Sequence, residues 1–211
     1  VFGLQHMFAM FGATILVPTL TGLSVSATLL FAGVGTLLFH FISKGKVPAF
    51  LGSSFAFIAG YAAIAPNGEA DLLPYACLGV ACAGLAITAI ITIMPLAFAT
   101  MIEHIGDVSA ISSTCNRNYI AEPGLHRTLL GDGLATIIAS LFGAPANTTY
   151  GENTGVLALT KVFDPRVIRL AALFAIAFSC CPKFAAVIAA MPACGHGGVS
   201  PGLYGMIAAV G

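Results

Sequence analysis

Residues Pro48-Ala49-Phe50-Leu51-Gly52-Ser53-Ser54-Phe55-Ala56-Phe57 interrupt an apolar run in its middle. Downstream, Pro145-Ala146-Asn147-Thr148-Thr149-Tyr150-Gly151-Glu152-Asn153 interrupts another. Each stretch opens on Pro, then offers a hydroxyl pair (Ser53-Ser54; Thr148-Thr149), then an aromatic residue (Phe55; Tyr150). Proline and glycine break a helix, and the hydroxyls satisfy part of the backbone that the break exposes. Helix starts after Ser54 and Gly151 would aim N–H donors at a common site. Two such segments meeting at the midplane suit an inverted-repeat transporter. Two unrelated kinked helices fit the same residues.

The surroundings of both breaks are apolar. The chain has 211 residues, 58% of them hydrophobic and 8% charged, with eight basic and eight acidic residues and a formal net charge of zero. Mean hydropathy is +0.99. A soluble domain carries about a quarter of its residues as charges, because it needs a wet surface. This composition excludes a soluble globular enzyme and a disordered chain, and the absence of a basic surplus excludes a nucleic-acid binder. What remains is an all-α polytopic membrane protein in a lipid bilayer. The 24 Gly and 11 Pro suit helices that pack closely or are broken. The six Cys have neither CxxC spacing nor His at metal spacing, so they read as small apolar packing residues, and no metal or cofactor is expected. Trp is absent, which leaves Tyr and basic residues to mark the membrane interface. Val1 and Gly211 both lie inside apolar runs, so the chain reads as a fragment, and no signal peptide is visible.

At ~20 residues per span, the runs are 4–20, 27–42, 48–65, a long one at 74–110, then 129–144, the polar-studded 148–160, 167–191, and a start at 199. Lys44 and Lys46, Arg117 and Arg127, and Lys161, Arg166 and Arg169 fall in three loops, while Glu69 and Asp71 share a loop with no basic residue. Basic loops mark the cytoplasmic side of a plasma membrane. That parity makes the long run an odd number of crossings. It is too short for three and over-long for one, at ~1.5 Å per residue. Something is missing there.

An ionisable residue inside a span is a functional candidate. His6, Glu103, Asp107 and Glu152 qualify. Glu103 and Asp107 are four apart and share a helix face. Two carboxyls so placed repel one another away from water, and one of them can hold a proton for transfer. Asp107 also reads as a helix-end residue at the interface. Weaker signals are the sequon Asn147-Thr148-Thr149, whose depth argues against use, and Gly195-His196-Gly197-Gly198, which reads as a helix start. His40 and His126 read as interfacial. An intramembrane hydrolase lacks support, since no Gly-x-Ser-x-Gly elbow or metalloprotease motif occurs.

Longer motifs carry more. Glu152-Asn153-Thr154-Gly155, followed by Thr160-Lys161, fits a signature of Gln, Glu or Pro, then Asn-x-Gly, four residues, and Thr with a basic or Gly residue. Gln5-His6, Gly52-Ser53-Ser54-Phe55-Ala56-Phe57, Glu103-His104-Ile105-Gly106 and Pro123-Gly124-Leu125-His126-Arg127 accompany it. Together they resemble the nucleobase–ascorbate transporter family, and Glu at the signature's first position resembles its uracil branch. The resemblance implies fourteen spans in two inverted seven-span repeats, with a substrate-holding core of spans 1–4 and 8–11 and a gate of spans 5–7 and 12–14. It implies that Glu103 and Glu152 hydrogen-bond a pyrimidine edge. Backbone groups of Phe55 and Gly151 would touch the base, and Ala13, Phe55 and Tyr150 would shape the pocket. His6, Asp107 and Asn153 would support the site or proton coupling. The ligands implied are uracil or a similar nucleobase and protons, in symport; a homodimer is compatible.

The departures are specific. Asp107 stands where the uracil branch has His, and His196 and Pro201 are unusual for span 12. Against the family pattern, residues 1–110 hold spans 1–4 fused at about 85–92 to the end of span 8. Residues 111–191 hold spans 9–11, and 192–211 the start of span 12. A chain with the core and almost no gate is expected to bind without transporting by itself. The other readings are a non-transporting remnant that partners a full-length transporter, and an anion transporter of the same fold, against which two carboxylates argue.

Overall fold

The structure is a computed structural model that describes residues 1–65, 68, 72–81 and 87–189. Expectations for Glu69 and Asp71, for 85–86 of the fusion, and for 192–211 with His196 and Pro201 lie outside the described residues, as does that for the Ala13 side chain.

The first apolar run forms α1 (Phe2–Ala9) and α2 (Phe11–Thr21), and the second forms α3 (Val25–Ile42). Phe2–Thr21 and Val25–Ile42 are each long and apolar enough to cross a membrane. Ser24 caps α3, accepting from the Ala27 N–H at 3.4 Å. At its other end the Gly45 N–H reaches the His40 carbonyl at 2.6 Å and the Lys44 N–H reaches Phe41 at 3.3 Å. That is a Schellman closure with Lys44 in the left-handed region, φ 58°.

Next come β1 (Leu51–Ser53), α4 (Ile58–Ile64) and α5 (Leu73–Ala81). Among its described residues, the run 74–110 holds most of α5 and the larger part of α6 (Ile87–Thr114). A kinked turn at Ile120–Gly124, with Glu122 extended, leads into α7 (Leu125–Leu141), followed by β2 (Asn147–Thr149), α8 (Gly151–Thr160), α9 (Pro165–Ser179) and α10 (Pro182–Ala189). Asp164 caps α9, accepting from the Arg166 N–H at 2.9 Å, and Pro165 fills the first helical position, where no N–H is needed.

The two strands pair antiparallel, Leu51 with Thr149, Gly52 with Thr148 and Ser53 with Asn147. The Ser54 N–H extends the pairing to the Ala146 carbonyl at 2.7 Å, and the Tyr150 N–H does so to Phe50 at 3.2 Å. Neighbouring helices satisfy the outer edges. Thr36 of α3 accepts from the Leu51 N–H at 2.9 Å, and Thr136 of α7 donates to the Asn147 carbonyl at 2.6 Å. Buried backbone groups thus find partners without water. α4 starts at Ile58, later than the sequence suggests. The Ser54 N–H is already taken, and residues 55–57 turn, closed by the Ile58 N–H on the Phe55 carbonyl.

α3 packs between α7 and α9. A Cβ on Gly33 would lie 2.6 Å from the Ala172 carbonyl, so the α3–α9 approach needs glycine there. The main hydrophobic cluster gathers Met7, Met10, Phe50, Tyr150, Ile168 and Ala172 around this crossing. Cys77 and Cys115 are buried. Cys180 and Cys181 are exposed, against the packing expectation, because they follow the end of α9 and leave its buried face. His40 is buried, its Nε2 donating to the Val47 carbonyl at 2.8 Å.

Candidate functional site

The β1–β2 pair delivers two kinds of group to one place. Its ends point the chain into α4 and α8, and its residues meet α2, α3, α6 and α7. Tyr150 is buried beside β1. Its hydroxyl donates to the Ser53 carbonyl at 3.0 Å and lies 3.4 Å from Thr14 Oγ1. The ring fits because position 52 is glycine: a Cβ there would lie 2.1 Å from Tyr150 Cε2. Phe55 is half-buried and packs on the same cluster.

Glu152 stands in the first turn of α8, directly after β2, and is buried. A carboxylate there sits at the positive end of the helix. Gly151, half-buried, opens the helix. Asn153 follows, fully buried; its Oδ1 accepts from His6 Nδ1, and its Nδ2 donates to the Pro48 carbonyl at 3.3 Å. The acceptor fixes the proton of His6 on Nδ1. This one side chain ties α1, the approach to β1, and α8 together.

α6 brings the acids. Asp107 accepts a hydrogen bond from Thr149 Oγ1 at 2.9 Å. It therefore sits against β2 rather than at a helix-end interface. Glu103, one turn earlier, is exposed, and Met101, Ile102 and Ile105 on the same stretch are exposed too. Glu103 lies within electrostatic range of Glu152, and Asp107 of both.

Two residues of this cluster were not among the site candidates, although His104 stands in the motif Glu103-His104-Ile105-Gly106. His104 is fully buried; its Nδ1 lies 3.3 Å from Thr149 Oγ1 and 3.5 Å from Asp132 Oδ2. Asp132 on α7 is buried and within electrostatic range of Glu103 and Asp107. The signal was present: Asp132 is an ionisable residue inside the run 129–144, as Glu103 is in its own run. The result is one assembly of four carboxyl groups, a histidine and a threonine, drawn from α6, α7, β2 and α8.

With this geometry in view, the similarities to known proteins can be placed on it. The Permease family matches residues 1–91 and 78–211, which together cover the chain. A uracil permease of Escherichia coli (strain K12) is 32% identical, covering 99% of this chain and 76% of that protein. A uracil permease of Bacillus subtilis (strain 168) is also 32% identical, covering 100% and 78%. A putative pyrimidine permease, RutG, of Escherichia coli (strain K12) is 28% identical, covering 100% and 76%. This chain belongs to the nucleobase–ascorbate transporter family of permeases.

The permease is accordingly a membrane-embedded transport protein and not an enzyme. For such a protein a cluster of carboxyls needs no hydrolytic role.

Proposed function

We propose that this permease binds uracil or a related nucleobase where α6, α8 and the β1–β2 pair converge. The observation that carries the reading is the position of Glu152: buried in the first turn of α8, beside a strand pair, and within electrostatic range of Glu103 on α6. A uracil edge alternates N–H donors and C=O acceptors. Glu103 and Glu152 supply acceptors for the N–H groups, and free backbone N–H groups at Gly151 and Phe55 supply donors for the carbonyls. Phe55 and Tyr150 form the wall. The Tyr150 hydroxyl is engaged by Ser53, so its ring is what it offers. His6 and Asn153 hold α8 in place, and Asp107 with Glu103 takes the proton that enters with the base in symport. The names of the relatives from Escherichia coli and Bacillus subtilis support the substrate class.

The same reading covers architecture. The order helix, strand, helix occurs twice, as α3–β1–α4 and α7–β2–α8, with the strands antiparallel. That order supports two inverted repeats, with core spans in 1–110 and 111–191. The Permease family matches in two stretches that overlap at 78–91, around the proposed fusion at 85–92. The Escherichia coli alignment runs over 328 residues, whereas this chain has 211 to place in it. Both facts support an internal stretch absent from this chain, the one that holds most of the gate. The uncovered face of α6 around Glu103 is where a gate would lie. The three basic loops are brought to one end of the molecule, since Lys46 pairs with Glu122 and Lys44 lines one cavity with Arg169. We place that end in the cytoplasm and the protein in the plasma membrane.

The test is uracil binding by thermal shift on the purified chain. Wild type gains stability with uracil, and E103A and E152A each lose the gain. Unchanged binding in both variants overturns the site. Uracil uptake into vesicles containing only this chain is expected to be absent, and its appearance overturns binding without transport.

A further inference from the structure

The basic end of the molecule holds a second built site, remote from the carboxyl cluster. The turn that closes α3 and the outer face of α9 enclose a cavity of about 420 Å³ lined by Leu37, His40, Phe41, Lys44, Gly45 and Arg169. Its two cations come from different helices. Lys44 is set by the Schellman closure of α3, and Arg169 stands on the first turns of α9. Gly45 takes the positive φ of this turn, 64°, and lies beside the Arg169 guanidinium, a Cβ there being in ordinary contact with Nη1 at 4.0 Å. His40 forms a fixed part of the lining, held by the Val47 carbonyl.

Three further observations say what the site takes. Among the described residues neither Lys44 nor Arg169 forms an ion pair, while the neighbouring Lys46 is paired with Glu122. Two unpaired cations at one cavity suit a phosphate, with the guanidinium offering a planar fork and the ammonium a point charge. The cavity is also not purely polar. Leu37 and Phe41 line it as well, and Phe41 is 84% exposed. An inorganic phosphate has no use for such a rim, whereas a lipid places its phosphate at the cations and its acyl chains along the apolar side chains.

We propose that Lys44 and Arg169 form a headgroup site for an anionic phospholipid, clamped between the end of α3 and the start of α9. The ligand class is a phosphodiester with acyl chains. A lipid seated there tethers α3 to α9 at the membrane surface, which stiffens the crossing on which the β1–β2 pair rests.

The experiment uses the full chain, purified in a neutral detergent. Retained lipid is counted by native mass spectrometry, and the unfolding midpoint is followed, with dioleoylphosphatidylglycerol, with dioleoylphosphatidylcholine, or with inorganic phosphate alone. The site predicts that wild type retains and is stabilised by the glycerol lipid in preference to the choline lipid. Phosphate alone does not reproduce the shift. K44Q/R169Q weakens retention on the order of thirty-fold, from roughly one unit of surface attraction per basic residue lost. K161Q/R166Q, which removes two exposed charges outside the cavity, leaves retention as in wild type. Equal retention of both lipids by wild type overturns the proposal, and needs no variant to fold. So does an equal loss in both double variants, which would mean diffuse surface charge. A shift reproduced by phosphate alone overturns the lipid assignment.

Discussion

Gly52 and Tyr150 occupy one volume: the hydrogen at position 52 is the only substituent that the Tyr150 ring leaves room for, since a Cβ would lie 2.1 Å from Cε2 and 2.6 Å from Cζ. The ring cannot swing away easily, because its hydroxyl is held by the Ser53 carbonyl at 3.0 Å. G52A should therefore destabilise by about 1–3 kcal/mol, the range for an overpacked core. Chemical unfolding of the purified chain measures it. The loss should shrink when Tyr150 is first replaced by Leu, since the two positions share the clash. An equal loss in both backgrounds would place the strain elsewhere.

Thr149 ties β2 to α6, donating to Asp107 at 2.9 Å with His104 Nδ1 at 3.3 Å from the same oxygen. T149V keeps the shape and removes both bonds. An intramolecular hydrogen bond contributes about 0.5–1.5 kcal/mol net, so a stability loss of at least that order is expected. If uracil binds as proposed, its affinity should fall as well, because Asp107 loses the contact that fixes it beside Glu103. A variant with wild-type stability would show that the Thr149 bond contributes nothing net.

Those contacts show what could be read in advance. The class was legible because 8% charge cannot cover a wet surface. The positions 48–57 and 145–153 stood out because Ser, Thr and Gly inside apolar runs need an explanation. Their partners were not legible. The Ser54 N–H meets the Ala146 carbonyl, and Asn147 Nδ2 meets Phe31, across sequence separations that no local pattern encodes. Asp132 was missed for a different reason. Gly131 and Gly133 flank it, and the stretch read as one more close-packed helix, until the fold set the carboxyl 3.5 Å from His104. The burial of His40 was not legible, because its sequence neighbours Ser43 and Lys44 suggest a wet loop. The Schellman turn folds the chain back, so that the Val47 carbonyl reaches the ring instead.

The pairing of His6 with Asn153 makes a coupling that a double-mutant cycle can read. N153A removes the acceptor of His6 and the donor to the Pro48 carbonyl; H6A removes only the first. The two losses should not add. The interaction is expected within about 0.5–3 kcal/mol, the range for directly contacting residues. Additive losses in urea unfolding would mean that the two side chains act independently.

Glu122 tests the basic end by pH. The Lys46 hydrogen bond and charge hold its carboxyl below the ordinary glutamate value of 4.5. A group depressed on folding contributes stability that is present above its unfolded pKa and lost as pH falls through the folded one. The contribution should therefore be present at pH 6 and decline below pH 4.5, toward the depressed value. The pair is solvent-exposed, so salt should remove it, and E122Q should flatten this part of the profile with little effect at high ionic strength. The unfolding midpoint across that pH range, at low and high salt, gives the answer. A profile unchanged by E122Q would mean that the ion pair has no net effect.

The α3–α9 crossing sets the limit on how the two halves of the sequence can separate. At Gly33 an added Cβ would lie 2.6 Å from the Ala172 carbonyl and 2.6 Å from Ile176 Cγ1. The Ile176 side chain can rotate, but the carbonyl belongs to a helix backbone and cannot. G33A must then push the helices apart, losing the dispersion contacts that hold apolar helices together in lipid, where no hydrophobic driving force replaces them. The loss should exceed that of G45A, whose added Cβ meets only Arg169 Nη1 at 4.0 Å and whose strain is confined to the positive φ of that turn. If α3 and α9 carry the strand pair as a unit, G33A should also lower uracil affinity without touching any proposed contact residue. Comparing unfolding midpoints of G33A and G45A decides the ordering, and the reverse ordering would show that the close approach is not what holds the crossing.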